Sequence, residues 1–304
     1  MIHPSLLHVI GNTPVVRLPA FSAETGFDVY AKLESMNPGG SHKVRIALAM
    51  IRDAEEKGIL VPDNGQTIIE PSGGNTGIGL AIAANILGYR VILVIPDNYS
   101  PEKQKLLRLY GAEIVLADSR RGNNAHGERA MELQLEHPEY VMLNQQRNPA
   151  NPDIHRRTTA QEILHDFCDL PIDYLVAGIG TGGHITGLGE VLKERWPAMG
   201  VFGVEPEGCD LRSDRHAPHG IQGLSIGLIP GVLNLGVLDE MIKVAQKDCL
   251  DRVRKSMRED GLSLGLSSAA NLVAISRMTD KWMTGSRVLT LIYDCVDSYL
   301  PELA

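Results

Sequence analysis

The chain has 304 residues, 43% of them hydrophobic, and a formal net charge of −8, so it can build one large or two medium domains and is not expected to be disordered. The acidic balance provides no basic surface for nucleic acid or an anionic membrane, and the 4 cysteines are too scattered for a zinc site or a disulfide framework, so no metal is expected. No signal-peptide pattern and no stretch of about 18 apolar residues is present, which predicts a soluble cytoplasmic protein whose partners are small molecules and other proteins.

Predicted strands and helices alternate along the chain. The strands are short β-branched segments at 28–34, 66–72, 89–96, 112–117, 140–144, 174–180, 201–206 and 287–294. The helices are segments of apolar periodicity at 43–58, 75–89, 101–111, 185–196 and 247–261. This alternation predicts an α/β fold with parallel sheets that helices cover. The segment 205–231, rich in Gly, Pro, Asp and His, is predicted to be a long loop over the surface or a cleft mouth.

Lys43 ends a turn-rich stretch that reads N-P-G-G-S-H-K from residue 37. A lysine at a helix start is poorly placed for the helix macrodipole, which favours the neutral amine that a Schiff base requires. The alternative interpretation is a surface lysine that follows an N-cap serine.

Two further segments join a strand to a helix through glycines. Residues 70–77 read E-P-S-G-G-N-T-G, and such a turn lets backbone N–H groups converge on a carboxylate or phosphate. Its alternative is a tight connection in which glycines only supply positive φ. Residues 177–184 read A-G-I-G-T-G-G-H, a phosphate-binding pattern that also satisfies the dinucleotide fingerprint, with Glu205 at the end of a later strand. A fourth segment, 265–271, is a turn before an apolar helix, and taken alone its Ser267 is most simply an N-cap.

Together and in this order, these segments resemble the cysteine synthase (O-acetylserine sulfhydrylase) family of the tryptophan-synthase-like, fold-type-II pyridoxal-phosphate enzymes. The resemblance covers nearly the whole chain, from 10–14 through 148–152 and 221–223 to 229–233. It implies two open, mostly parallel twisted sheets covered by helices, a larger cofactor-binding domain of 1–37 and 145–304, and a smaller mobile domain of 38–144. It also implies a homodimer and pyridoxal 5′-phosphate as the cofactor.

The resemblance implies a role for each matching residue. Lys43 would form the aldimine with the cofactor and move the α-proton, Asn75 would bond the cofactor's 3′-oxygen, and Ser267 would face the pyridine nitrogen. The other residues implied to bind the cofactor form the phosphate loop: Gly180, Thr181, Gly182, Gly183 and His184. The residues implied to bind the substrate are Ser72, Gly73, Asn75, Thr76, Gln145, Gln146, Gly223 and Ser225.

A hydroxyl facing the pyridine nitrogen leaves that nitrogen largely neutral, which favours loss of a β-substituent over transamination. The implied reaction is therefore β-replacement on an activated serine, O-acetylserine or O-phosphoserine, through an aminoacrylate. A cysteine-synthase-like transferase is the expected enzyme. A lyase that releases the aminoacrylate is a rival within the same superfamily.

Several positions depart from the family pattern. The carboxylate loop, usually T-S-G-N-T, is S-G-G-N-T at 72–76, so Gly73 replaces a hydroxyl donor, and a common phenylalanine is Gln146. The stretch 223–227 reads G-L-S-I-G, His184 replaces a threonine, and 295–299 reads C-V-D-S-Y. These changes predict either a polar, amine-like nucleophile that would yield a 2,3-diaminopropionate-type amino acid, or sequence drift without consequence.

Two other function classes compete with this interpretation. A nicotinamide oxidoreductase would use Gly178, Gly180, Gly183 and Glu205, but it leaves Lys43 and the 70–77 turn without a role. A non-catalytic relative that serves as a binding partner would have little reason to keep Lys43, Asn75 and Ser267.

Overall fold

The computed structural model describes residues 2–122 and 124–303. Its strands are β1 Val15–Arg17, β2 Asp28–Leu33, β3 Thr67–Glu70, β4 Arg90–Pro96, β5 Glu113–Ala117, β6 Val141–Met142, β7 Tyr174–Gly178, β8 Gly200–Pro206, β9 Glu240–Val244 and β10 Arg287–Ile292. Its helices are α1 Pro19–Thr25, α2 Lys43–Glu56, α3 Asn75–Ile86, α4 Pro101–Leu109, α5 Ala125–Glu136, α6 Ala150–Ile154, α7 Ala160–Phe167, α8 Gly183–Arg195, α9 Gln246–Glu259, α10 Leu266–Ser276 and α11 Leu300–Leu303. A π-helical turn, His155–Thr159, joins α6 to α7.

The chain divides into two compact units. The smaller unit contains Met1–Ile10 and Asn37–Asn151, and the larger contains Gly11–Met36 and Pro152–Ala304. The sequence prediction instead drew boundaries at 37/38 and 144/145 and placed the first residues in the larger domain. The side-chain amide of Asn151 donates to the Gln145 carbonyl at 2.7 Å, which ties the segment after residue 145 to the smaller unit. Mobility of the smaller domain stays a prediction.

The larger unit is built on a six-stranded sheet in the order β1-β2-β10-β7-β8-β9. Only β1 runs antiparallel, against β2. Helices cover both faces of this sheet. Successive side chains of a strand point to opposite faces, so each strand contributes to two cores. Val176 of β7 joins a core with α1, α9 and α10, while its neighbours Leu175 and Ala177 join a second core with α7 and α8.

The smaller unit is built on a parallel four-stranded sheet in the order β5-β4-β3-β6. Ile92 and Val94 of β4 pack with α5 on one face. Leu93 points to the other face, where its side chain lies against Gly77 of α3. Because the strands are parallel, the turns that follow β3, β4 and β6 all leave from one edge of the sheet. The predicted fold class, two open and mostly parallel sheets covered by helices, is confirmed.

Across residues 2–122 and 124–303, no helix combines the length and the apolar character that crossing a bilayer would need. The same residues contain no group of three or more His, Cys, Asp or Glu side chains suited to a metal ion.

Candidate active site

The loop between β7 and α8 in the larger unit has the shape of an anion cradle. Gly182 is the N-cap of α8 with a positive φ of 76°, and as a glycine it has no side chain to cap that end of the helix. A Cβ at Gly180 would lie 2.3 Å from the Gly223 carbonyl oxygen, and one at Gly182 would lie 2.6 Å from Leu233. The residues predicted to bind the phosphate are all buried: Gly180, Thr181, Gly182, Gly183 and His184. The loop therefore fits a phosphate held by backbone N–H groups at a helix N-terminus.

The 223–225 segment packs directly against this loop. The Ser225 N–H donates to the Ile179 carbonyl at 2.9 Å, and Ser225 has a positive φ of 44°. The Leu224 side chain fills the space beside Gly178, where a Cβ would lie 2.6 Å from it. Gly223 and Ser225, predicted to bind substrate, thus adjoin the phosphate loop within the larger unit, and their contact with substrate stays a prediction.

The side chain of His184 points into a buried polar network under the loop. Its Nε2 lies 3.0 Å from the hydroxyl of Tyr293. That hydroxyl accepts from the Gly178 N–H at 2.9 Å and from Nδ2 of Asn271 at 3.3 Å. Because both lone pairs are then used, the hydroxyl proton is left for His184 or for the Gly178 carbonyl at 3.5 Å. Burial raises the pKa of the Tyr293 hydroxyl well above its ordinary value, so it stays protonated.

The same tyrosine fixes the helix that carries Ser267. The Tyr293 N–H donates to the hydroxyl of Ser268 at 2.9 Å, within the first turn of α10. The N-cap of α10 is Gly265, which has no side chain to form a cap bond, and Ser267 lies inside the helix. The interpretation of Ser267 as an N-cap is therefore wrong, and its buried hydroxyl keeps the predicted role toward the cofactor open. The sequence analysis gave no role to Tyr293. The one feature that could have indicated it is its position as a polar side chain directly after an apolar strand.

Glu205 does not have the environment that the dinucleotide interpretation requires. Its carboxylate is buried at the end of β8, accepts from the Leu211 N–H at 2.8 Å and lies 3.8 Å from Nζ of Lys243. Burial raises the pKa of Glu205, with the Leu211 N–H and the Lys243 charge opposing it. A carboxylate engaged in this way is not presented to a ribose hydroxyl, which weighs against a nicotinamide cofactor.

In the smaller unit, Lys43 is half-buried at the first position of α2. Its Nζ lies 2.5 Å from Nε2 of His42, and its N–H donates to the hydroxyl of Ser41 at 3.4 Å. His42 already has helical backbone angles and Ser41 is extended, so the Ser41 hydroxyl caps this helix end as the alternative interpretation has it, but Lys43 is half-buried and not a fully exposed surface lysine. A Cβ at Gly79 would lie 3.1 Å from the Lys43 carbonyl and 2.9 Å from Cα of Val44, so the start of α2 touches α3 closely.

The glycine turn between β3 and α3 leads into the N-terminus of α3. Gly74 is the N-cap of α3 with φ of −94°, and Gly73 and Gly77 also lack positive φ. The idea that these glycines only supply positive φ is therefore wrong. Space is the reason at Gly77, where a Cβ would lie 2.5 Å from the Ser72 carbonyl oxygen. The N-cap Gly74 has no side chain to cap α3, so this helix end is suited to an anion.

Gln145 lies beside this turn because it follows β6, the strand that pairs with β3. The Thr76 hydroxyl donates to Oε1 of Gln145 at 2.7 Å. The N–H groups of Asn144 and Gln145 donate to the two carboxylate oxygens of Glu70 at 2.9 and 3.0 Å. Burial raises the pKa of Glu70, while these N–H groups act in the opposite direction. The sequence analysis did not identify Glu70 as a site residue. The feature that could have indicated it is an acidic residue at the end of an apolar strand.

The structure thus gathers the predicted site residues into two sets. The set in the smaller unit contains Lys43, Ser72, Gly73, Asn75, Thr76, Gln145 and the half-buried Gln146. The set in the larger unit contains Gly180, Thr181, Gly182, Gly183, His184, Gly223, Ser225 and Ser267. The roles of these residues stay predictions.

Comparisons with known proteins agree with this chemistry. A family model described as pyridoxal-phosphate dependent enzyme matches residues 6–294. A cysteine synthase of Staphylococcus aureus is 40% identical over 297 residues, which cover 97% of this chain and 95% of that protein. A cysteine synthase of Flavobacterium sp. is 46% identical over 261 residues, which cover 85% of this chain and 83% of that protein.

Solved structures give the same result. A crystal structure of O-ureido-L-serine synthase superposes with a TM-score of 0.94 at 38% identity and covers 99% of this chain and 94% of that chain. A hydrogen sulfide-producing enzyme from Fusobacterium nucleatum has a TM-score of 0.92 at 36% identity, with 98% of each chain covered. These matches confirm the predicted family, cofactor and enzyme class, and they support β-replacement on serine derivatives. The chain therefore belongs to the pyridoxal-phosphate-dependent enzymes and, within them, to those of the cysteine synthase type.

Proposed function

We propose that the chain replaces the β-substituent of an activated serine, O-acetylserine or O-phosphoserine, with an incoming nucleophile. The observation that carries this proposal is the buried Ser267 on the first turn of α10, which is not used as a helix cap. A neutral hydroxyl toward the pyridine nitrogen favours departure of a β-group over transamination. The uncapped glycine loop 180–183 supports binding of the cofactor phosphate.

Pyridoxal phosphate, when bound, supplies the electron sink that makes the α-proton of an amino acid acidic. The protein's own residues then divide the remaining work. Nζ of Lys43 would hold the cofactor and, once released, move the proton at the substrate α-carbon. The N–H groups that begin α3 would hold the substrate carboxylate, with Gln145 beside them, and Asn75 would orient the cofactor ring.

The nucleophile is the open part of the proposal, and two candidates have support. Sulfide is supported by the cysteine synthases to which the chain is similar. A non-sulfide, polar nucleophile is supported by Gly73 and Gln146, which depart from the family pattern, and by the similarity to O-ureido-L-serine synthase, whose name indicates a serine with an oxygen-linked group. A site that contains an amide discriminates against a small nucleophile that cannot bond to it.

The test is a competition assay on the holoenzyme. O-acetyl-L-serine and O-phospho-L-serine are offered as donors, with sulfide against a panel of amines, amino acids and hydroxylated amines, and products are identified by mass spectrometry. β-Replacement predicts a new amino acid whose formation requires the nucleophile. Keto acid and ammonia formed at the same rate without any nucleophile would show a lyase instead. Lys43→Ala serves as the inactive control.

We also propose that the protein works as a cytoplasmic homodimer, as its family resemblance implies. Light scattering on the eluted holoenzyme measures the mass directly. A mass of a single chain at micromolar concentration would contradict the dimer.

A further inference from the structure

The turn after β3 lies beside the loop after β4, because the two strands pair in parallel and end at the same edge of the sheet. Glu70, the last residue of β3, pairs with Leu93 in β4. Tyr99, in the loop after β4, extends its side chain to this turn, where its hydroxyl donates to the Gly73 carbonyl at 2.7 Å. A residue that sequence reasoning did not consider thus contacts the turn predicted to bind the substrate carboxylate.

The space around Gly73, and not its backbone angles, requires a glycine. Gly73 is not among the residues with positive φ. A Cβ at Gly73 would lie 2.8 Å from Cγ2 of Ile95 and 2.9 Å from Cζ of Tyr99, closer than real Cβ atoms approach their neighbours. Any side chain at Gly73, including the hydroxyl-bearing one that the family resemblance leads one to expect, would therefore have to displace both the Tyr99 ring and the Ile95 side chain.

The tyrosine is held in place on several sides. Its N–H donates to the Pro96 carbonyl at 3.1 Å, and its own carbonyl accepts from Nε2 of Gln104 at 2.9 Å. Nζ of Lys103 lies 5.9 Å from the ring centroid. Burial raises the pKa of Tyr99 to about 12, so the hydroxyl stays protonated and remains a donor at neutral pH. The hydrogen bond to Gly73 is thus made by a pre-oriented group.

With Gly73 fixed in this way, the turn offers mainly backbone donors to an anion. The Thr76 hydroxyl already donates its proton to Gln145. The N–H groups of the first turn of α3 follow Gly74, an N-cap with no side chain to bond to them, and the Ser72 hydroxyl is a further donor at this turn. The direction of these N–H groups depends on the conformation of the turn, which Tyr99 braces through the Gly73 carbonyl.

We propose that Tyr99 is a positioning residue for the substrate carboxylate, which takes the place of the side chain absent at Gly73 and sets the turn so that backbone N–H groups bind the carboxylate. This inference rests on the proposed function, because it assigns the turn to an amino-acid substrate. It makes Gly73 and Tyr99 a matched pair, so that changing one alone is more damaging than changing both.

The experiment is a double-mutant cycle on the holoenzyme with Gly73→Ser, Tyr99→Ala and their combination, together with Tyr99→Phe, which keeps the ring and removes the hydroxyl. Tyr89→Phe is the matched control, because the Tyr89 hydroxyl bonds to Glu55 elsewhere in the same unit. For each variant, KM and kcat for O-acetyl-L-serine, the Kd of L-serine from the change in cofactor absorbance, and the Kd of the cofactor are measured.

We expect Gly73→Ser to raise the KM of the donor and the Kd of L-serine at least about tenfold, with kcat and cofactor affinity changed much less. Adding Tyr99→Ala to Gly73→Ser should recover at least about threefold of that loss, and Tyr99→Phe should raise KM about fivefold, the size of one lost hydrogen bond. Unchanged KM and L-serine Kd in Tyr99→Phe, or a double variant as impaired as the two single changes combined, would overturn the inference. A wild type that binds L-serine but turns over no activated serine would instead defeat the proposed function, and the L-serine Kd values would still decide the role of Tyr99.

Discussion

Two turns of the molecule have the same order of strand, glycines and helix, yet they need their glycines for different reasons. In the larger unit, Gly182 requires its positive φ, and Gly180 requires the close approach of the Gly223 carbonyl. In the smaller unit, Gly73 has no positive φ and is a glycine because the Tyr99 ring and the Ile95 side chain occupy the space beside it. A glycine pattern therefore predicts a close backbone approach, but not what makes that approach necessary.

The same two turns also share a supporting device. A tyrosine hydroxyl contacts the backbone of each: the buried Tyr293 accepts from the Gly178 N–H, and the half-buried Tyr99 donates to the Gly73 carbonyl. The first turn keeps the glycines of the family's phosphate motif, with His184 in place of its last threonine, while the second loses a hydroxyl donor of the family's carboxylate motif at Gly73. We infer that the first keeps the cofactor chemistry constant, while the second is where substrate recognition has changed.

The largest effect is expected from removal of Lys43, because this residue is proposed to serve both the cofactor and the substrate. Lys43→Ala should abolish the covalent linkage to the cofactor and lower turnover by about 10³-fold or more, because both the attachment and the proton carrier are lost. The visible absorbance of the purified protein and its rate with O-acetyl-L-serine are the measurements. Lys57→Ala, at the exposed end of the same helix, should retain both; wild-type colour and rate in Lys43→Ala would contradict the assignment.

Changes at Gly182 should sharpen the comparison, because they touch only the phosphate turn. Gly182→Asp should weaken cofactor binding by about 100-fold, since a side chain and a negative charge both enter the cradle. Gly182→Ala, which adds the strain of positive φ without a charge, should cost about tenfold. Fluorescence titration with pyridoxal phosphate measures both values, and equal Kd values for the two variants would show that no anion binds at this helix end.

Gln146, the residue after the Gln145 that bonds to Thr76 of the 70–77 turn, tests the choice of nucleophile. Gln146→Phe should shift the ratio of kcat/KM for amines to kcat/KM for sulfide toward sulfide by about tenfold, because an amide partner worth about 1 kcal/mol or more is lost. Cofactor affinity should not change. If the wild type prefers sulfide and Gln146→Phe does not change the ratio, the departures at Gly73 and Gln146 are sequence drift that does not affect the choice of nucleophile.

The smallest effect is expected from an ion pair that belongs to neither turn. The side-chain hydrogen bond from Arg252 lowers the pKa of Glu24 from 4.5 to about 2, with burial opposing it. A lowered pKa means that the stabilisation is present above pH 4.5 and is lost as the pH falls toward 2. Glu24→Gln should therefore reduce the free energy of unfolding at pH 7 by about 1 kcal/mol, because partial exposure screens the pair. Near pH 2, where the native carboxyl is about half protonated, the reduction should be small. Denaturant unfolding at both pH values checks this, and catalysis should be unaffected.

Much of this organisation was predictable from the sequence. The β/α alternation predicted the sheets, and the glycine motifs predicted both turns, because such patterns act through local backbone geometry. Neither β9 nor the short β1 was predicted. A three-residue antiparallel strand such as β1 carries little periodic signal and is defined by its partner β2. Tyr99, Glu70 and Tyr293 were missed for a related reason: their roles arise from contacts between segments far apart in sequence, as the Tyr293 bond to Gly178 across 115 residues illustrates.

The most direct test of the division between the two turns compares Tyr293→Phe with Tyr99→Phe in one pair of measurements, the Kd of pyridoxal phosphate and the KM of O-acetyl-L-serine. Each change removes one tyrosine hydroxyl together with the hydrogen bonds it makes, a loss on the order of 1 kcal/mol. The account predicts a crossed result: Tyr293→Phe raises the cofactor Kd several-fold and leaves the donor KM near wild type, while Tyr99→Phe does the reverse. If both variants change the same quantity, or if Tyr99→Phe weakens the cofactor and leaves the donor KM unchanged, the assignment of one turn to the cofactor and the other to the substrate is contradicted.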